Sequence, residues 1–159
     1  MTTTTIFHGS FDKNLTNIKD EGVFGGLFFA SSESAALGNG DYLYKTTLKL
    51  SDIANDQDLE QATGDQFREL FKWMSDQDFA VYNDLLRDLV IYDTSVSSLD
   101  EPELALAALS ESEIFEADWF AQKLRGALAS KLGFKAVEMC DEHGTSYLVL
   151  PSVTIENAE

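Results

Sequence analysis

Two hydrophobic periods succeed one another along the chain: a strand-like pattern at both ends and a helical one between them. Thr4 to His8 is short and β-branched or aromatic, as a strand requires. Gly26 to Ala30 runs apolar through Leu27, Phe28 and Phe29, which predicts a strand buried on both faces. Between them, Leu15 and Ile18 would face inward on a short helix ending near Gly22. From Tyr44 to Leu50 the pattern alternates, with Tyr44, Thr46, Leu48 and Leu50 on one face and Lys45, Thr47 and Lys49 on the other. That is a half-exposed strand.

The middle changes period. Phe67, Leu70, Phe71 and Met74 follow i, i+3, i+4, i+7 spacing, as do Tyr82, Leu85, Leu86 and Leu89. Pro102 suits the first turn of a further short helix. Ser110 and Glu113 have capping-box spacing, which predicts a helix from there towards Leu132, ended by Gly133 in the left-handed conformation. Phe120, Leu124 and Leu128 form its inward stripe. These stripes read as core rather than as ligand contacts. Ala136 to Met139 and Tyr147 to Leu150 then flank the polar loop Cys140 to Thr145 as a hairpin, closed by Pro151. Strands, helices, strands is the order of an α+β domain whose terminal strands meet in one sheet. No repeat, low-complexity tract or Pro/Gly linker interrupts it, so residues 1–159 read as a single domain.

Composition narrows the class. With 11 Phe, 5 Tyr and 2 Trp the chain can build a packed core, which excludes a disordered protein. No stretch approaches the roughly 20 apolar residues that cross a bilayer. Met1 to Thr5 is uncharged and leads directly into a candidate motif, so it is not read as a signal peptide. Cys140 is the only cysteine, which excludes an internal disulfide and a cysteine-based zinc site. A cytoplasmic location is the economical expectation. Against 28 acidic residues stand 11 basic ones, a net charge of −17 that repels nucleic acid and attracts a basic partner. Solubility alone would explain such a charge. The sharper readings are attraction to a nucleic-acid-binding protein, or mimicry of nucleic acid itself.

Three segments offer chemistry. The two histidines each lie beside glycine in a polar turn, Phe7-His8-Gly9-Ser10 and Asp141-Glu142-His143-Gly144-Thr145. Either alone is more often a surface histidine than a functional one. The third segment is Gly25-Gly26-Leu27-Phe28-Phe29-Ala30-Ser31-Ser32, where glycines let backbone approach a ligand and serines place hydroxyls at a strand end. No G-x-G-x-x-G opens a helix, so this is not a Rossmann fingerprint. His8, His143, Asp141 and Glu142 have ligand types that suit zinc or manganese, but no short spacing pre-arranges two of them, and no metal is expected.

Together these segments resemble the ADP-ribosyltransferase superfamily. His8-Gly9-Ser10 matches its His-Gly-Thr/Ser element, and Gly25 to Ser31 followed by Ser34-Ala35-Ala36 looks like its Gly-x-Gly-(Ile/Leu)-(Tyr/Phe)-Phe-Ala segment with a trailing Ser-Ala. A closer resemblance is to the phage-encoded anti-CRISPR ADP-ribosyltransferases that act on type I-F systems. It rests on His8-Gly9-Ser10, Gly22 to Phe28, Leu124-Arg125-Gly126, and Val137-Glu138-Met139 running into Asp141 to Thr145. It fades across roughly residues 50 to 115.

The resemblance implies an ADP-ribosyltransferase-like fold, with terminal strands forming a split sheet around an NAD cleft and a helical middle segment. It implies NAD as co-substrate, and a protein target: a basic nucleic-acid-binding subunit of a type I-F surveillance complex, whose DNA recognition is blocked. Asp141 is the first choice of catalytic acid and Glu142 the second, the usual superfamily acid being Glu. His8 would orient a ribose hydroxyl and Gly9 would offer backbone groups to the nicotinamide amide. Ser10, Gly26, Phe28, Phe29 and Ser31 would complete the NAD site. His143 would contact substrate or stabilise its turn. Lys13, Lys19 or Arg125 would balance the pyrophosphate, although Arg125 pairing with an acid on the helix surface is the commoner fate. The competing readings are a non-enzymatic acidic inhibitor that mimics nucleic acid, and a transferase with another acceptor. One spatial condition governs the enzymatic reading: the His8 turn and the Asp141 hairpin must line one cleft.

Overall fold

The period-two segments at both ends of the chain meet in one sheet. The computed structural model describes residues 1–20, 22–141 and 144–159, with Asp141 described in its backbone alone. The strands are β1 (Thr3–Ser10), β2 (Leu27–Ala30), β3 (Tyr42–Lys49), β4 (Ile53–Ala54), β5 (Ala136–Asp141), β6 (Gly144–Val149) and β7 (Glu156–Asn157). Among the described residues they form a seven-stranded sheet in the order β4-β5-β6-β2-β1-β3-β7. Only β4 and β5 run parallel. β1 and β3 are in register from Thr3↔Lys49 to Ser10↔Tyr42, and β2 and β6 from Leu27↔Val149 to Ala30↔Ser146. β1 and β2 share a single registered pair, Phe7↔Ala30. The sheet therefore divides in its middle.

The helices are α1 (Glu33–Leu37), α2 (Asp56–Leu59), α3 (Gly64–Glu69), α4 (Asp76–Val90), α5 (Pro102–Leu109) and α6 (Ile114–Lys131). Phe67, Phe71, Leu86, Leu89 and Leu128 form the larger core with Val137 and Leu148 of the sheet. The neighbouring positions Ala136 and Val149 belong to a smaller core with Ile6, Ile18, Phe29 and Leu48. Adjacent strand residues point to opposite faces, so the helices cover one face and the loop after β1 closes the other. Among the described residues, no helix is long and apolar enough to cross a membrane.

Four sequence expectations are corrected. Ile18 is buried, but residues 11–19 are not helical. The Tyr44 hydroxyl takes over their backbone: it receives the Leu15 N–H at 3.1 Å and donates to the Asp12 carbonyl at 2.7 Å. The 67–74 stripe is a helix only to Glu69. Arg68 then donates to the carbonyls of Phe71 (2.6 Å) and Met74 (2.7 Å), so turns bury Phe71 and Met74. Ser110 does not cap α6; it ends α5 in the left-handed conformation (φ 56°), and α6 starts after Glu113 without a side-chain cap. Of the apolar run before Ala30, Phe29 alone is fully buried, because β2 borders the division of the sheet. Pro102 at the start of α5 and Gly133 (φ +90°) after α6 stand where expected.

Candidate functional site

β1 delivers His8 to the division in the sheet. Its Nδ1 lies 2.7 Å from the Phe28 carbonyl oxygen, an atom that only accepts, so Nδ1 carries the proton. In the neutral ring Nε2 is then an acceptor. Burial pulls the His8 pKa below its ordinary 6.5, and the bond to the Phe28 carbonyl opposes this without cancelling it. The His8 ring sits 5.4 Å from the Phe29 ring, tilted by 39°.

This shift has a defined sign. Between the lowered folded value and the ordinary 6.5, the unfolded chain binds the extra proton, so His8 makes stability fall as pH drops through that window. Above 6.5 its contribution is flat. Melting curves of the wild type and His8→Gln should converge as pH falls below 6.5. Parallel curves down to the acid limb would contradict a buried neutral His8. Asp93 acts with the opposite sign, its pKa being raised by burial, and the variant comparison cancels it.

Around His8 lies a cavity of about 240 Å³. Phe7, His8 and Gly9 of β1 and Phe28, Phe29 and Ala30 of β2 form its two sides. Met139 and Cys140 of β5 and Ser146 of β6 also line it, as do Asn39 and Gln122. The opening His-Gly segment and the late hairpin thus line one space. β5 continues for one residue to Asp141, whose backbone pairs with Gly144 across the turn. The Asp141 side chain, Glu142 and His143 lie outside the described residues.

The remaining candidates divide. Phe28 is half-buried and packs edge-on to Phe24 at 4.7 Å, whereas Phe29 is 1% exposed in the core. Ser10 lies at the end of β1, where its hydroxyl accepts the Asp12 N–H at 3.0 Å, away from the cavity lining. Ser31 is exposed just beyond β2 and is likewise not in the lining. Gly26 does approach closely, but to protein: a Cβ there would lie 2.6 Å from the Val149 carbonyl oxygen. Its lack of a side chain lets β2 meet β6.

Arg125 is 2% exposed and fully engaged inside the protein. It donates to the Glu138 carbonyl (Nε 3.0 Å, Nη2 2.9 Å), to Val90 (3.2 Å) and Ile91, and to Asp56 Oδ1 at 2.7 Å. Its acidic partner is Asp56 of α2 rather than an acid on its own helix surface. Sequence reading passed over Gln122, Asn39 and Ser146, which carry no motif, and Asp93. Asp93 follows α4 in the left-handed conformation (φ 51°), and its carboxylate accepts the Cys140 N–H at 2.9 Å. It anchors β5 one residue before Asp141.

A solved structure described as "Crystal structure of an anti-CRISPR protein" superimposes with a TM-score of 0.66 and 30% identity, over 97% of this chain and 94% of that one. No curated protein matches the chain. Residues 4–158 match the family described as "Anti-CRISPR Type I-F ADP-ribosyltransferase AcrIF11". With nearly its whole length covered, including His8 and the β5–β6 hairpin, the chain belongs to the AcrIF11 family of type I-F anti-CRISPR ADP-ribosyltransferases.

Proposed function

We propose that this chain is an NAD-dependent mono-ADP-ribosyltransferase that modifies a protein subunit of a type I-F CRISPR surveillance complex and so blocks DNA recognition. The observation that carries this reading is that His8 and Gly9 share a cavity with Met139 and Cys140, at the approach to Asp141. NAD, when bound, supplies an ADP-ribosyl group that leaves nicotinamide behind.

The residues present suit the nicotinamide–ribose end of NAD. His8 keeps Nδ1 on the Phe28 carbonyl, which orients Nε2 to accept a hydroxyl hydrogen from the ribose. At Gly9 the edge of β1 borders the cavity rather than a registered β2 partner, so backbone groups serve the carboxamide. Half-buried Phe28 flanks the flat ring. Asp141 is the proposed acid that stabilises positive charge developing on the ribose or takes the acceptor's proton, with Glu142 second. A cavity of about 240 Å³ is smaller than a whole dinucleotide, so the adenosine end lies along the open rim.

The test is incubation of a purified type I-F surveillance complex with labelled NAD and either the wild type or Asp141→Ala. The wild type should label one discrete subunit, with a mass gain of one ADP-ribose that the variant loses. Equal labelling by both would transfer the role to Glu142. Inhibition of the complex without NAD would instead favour mimicry by the −17 charge.

A further inference from the structure

Behind the proposed NAD cavity lies a second, larger cleft of about 570 Å³. Gln122 and Cys140 line both spaces, so the two are neighbours across a shared wall. The cleft runs between the segment after α4 and the first turns of α6. Phe115 and Trp119 form its outer side at 50% and 41% exposure, with ring centroids 5.0 Å apart. Asp93 and Asp118 are its charged groups, and among the described residues no Lys or Arg lines it.

Among the described residues, neither carboxylate pairs with a cation within the cleft. Asp118 Oδ1 accepts the Val96 N–H at 2.7 Å, and Asp93 Oδ2 accepts the Cys140 N–H. Burial raises the Asp93 pKa; the Cys140 N–H and Arg125 pull the other way, while Asp56 and Asp118 add to the rise. A cation entering the cleft would relieve this crowding of negative charge. Aromatic rings and two carboxylates lining one cleft suit a long basic side chain, whose apolar stem covers the rings while its head meets an acid.

We propose that this cleft docks the protein acceptor, seating a lysine- or arginine-bearing segment of its surface between Phe115, Trp119 and Asp118 and so presenting a neighbouring side chain across the shared wall. The proposal rests on the ADP-ribosyl transfer proposed above and adds where the acceptor is held. Charge decides the occupant. A second copy of the chain brings another −17, and nucleic acid brings phosphates, so both are repelled. A basic protein is drawn in, faster at low salt.

Two variants test this without touching the NAD cavity. Phe115→Ala removes the outermost ring. Asp118→Asn removes charge while keeping an oxygen for the Val96 N–H. Trp119 is left intact because it packs edge-on to Phe24, which packs edge-on to Phe28. With purified type I-F surveillance complex and labelled NAD, each variant should raise KM for the complex at least about tenfold, or roughly 1.4 kcal/mol. NAD affinity by calorimetry should stay within about twofold of wild type. The Asp118→Asn effect should shrink as salt rises. Unchanged KM would overturn the proposal, as would a matching loss of NAD affinity, or a dimer that Phe115→Ala dissolves. A wild type that binds no NAD, or modifies no subunit, would instead bring down the transferase reading itself. A variant that melts early is replaced by Phe115→Leu, which keeps apolar bulk but no ring and should still raise KM.

Discussion

Arg125→Ala should lower the stability of the folded chain by about 3–5 kcal/mol, the combined cost of a cavity and of buried carbonyls left without donors. Arg125 gathers three parts of the chain around one guanidinium. The Val90 carbonyl belongs to the last turn of α4 and the Ile91 carbonyl to its C-cap, where a helix has no partners of its own for them. The guanidinium caps them and lies at the negative end of that helix. Its other side grips the Glu138 carbonyl of β5 twice and the Asp56 carboxylate at the start of α2. Alanine would leave a cavity and several buried carbonyls without donors. Arg125→Lys keeps the charge but cannot reach all these acceptors, because an ammonium lacks the planar fork. It should recover less than half of the loss. Asp56→Asn should cost less again, since the Asp56 side chain is 49% exposed and its ion pair is partly screened by solvent. For a chain of this size the alanine variant should melt about 10 °C lower. A melting point within about two degrees of wild type would show that the clamp is dispensable.

Gly9→Ala should be nearly as damaging, at the upper end of the roughly 1–3 kcal/mol typical of overpacking or beyond it. An added Cβ would lie 1.9 Å from the Ala36 carbonyl oxygen and 2.9 Å from its carbon. Both are backbone atoms, which cannot swing aside as a side-chain tip can. Either α1 or β1 must move, and both border the proposed NAD cavity. Thermal unfolding and NAD calorimetry should therefore fail together, with affinity down more than about tenfold. Gly64→Ala is the control, because nothing lies within 4 Å of a Cβ there and α3 gains a better helix former. Should Gly9→Ala melt like the control, the close approach of α1 to β1 would be wrong.

Strand periods at both ends, the helical stripes of α4 and α6, and the stops at Pro102 and Gly133 were readable, because each depends on neighbours within a turn or a strand. The hairpin was readable too, and the structure shortens its turn by pairing Cys140 with Thr145 and Asp141 with Gly144. Where reading failed, a distant partner had overruled local preference. Tyr44 holds residues 12–15 out of a helix from across the sheet. Ser110 spends its position ending α5 instead of capping α6. Arg68 unwinds the Phe67–Met74 stripe by claiming its carbonyls.

The candidate site shows the same division. His8 and Gly9 stood out because histidine beside glycine at a strand end is chemically conspicuous, and the resemblance gave the pair a role. That they face Met139 and Cys140 is a consequence of sheet order, in which β2 and β6 bring the two ends of the chain together. Arg125 shows the limit most clearly. Its motif was visible, but its partners are 13, 34, 35 and 69 residues away, and together they make it a structural clamp. Asp93 carried no motif at all, yet it holds the strand that ends in Asp141. Local sequence determined the elements, the negative charge and the residue types available for chemistry, since those follow from periodicity and composition. Which of those residues share a cavity, and which are consumed in holding it open, was decided only by tertiary packing, because contacts across tens of residues leave no periodic trace.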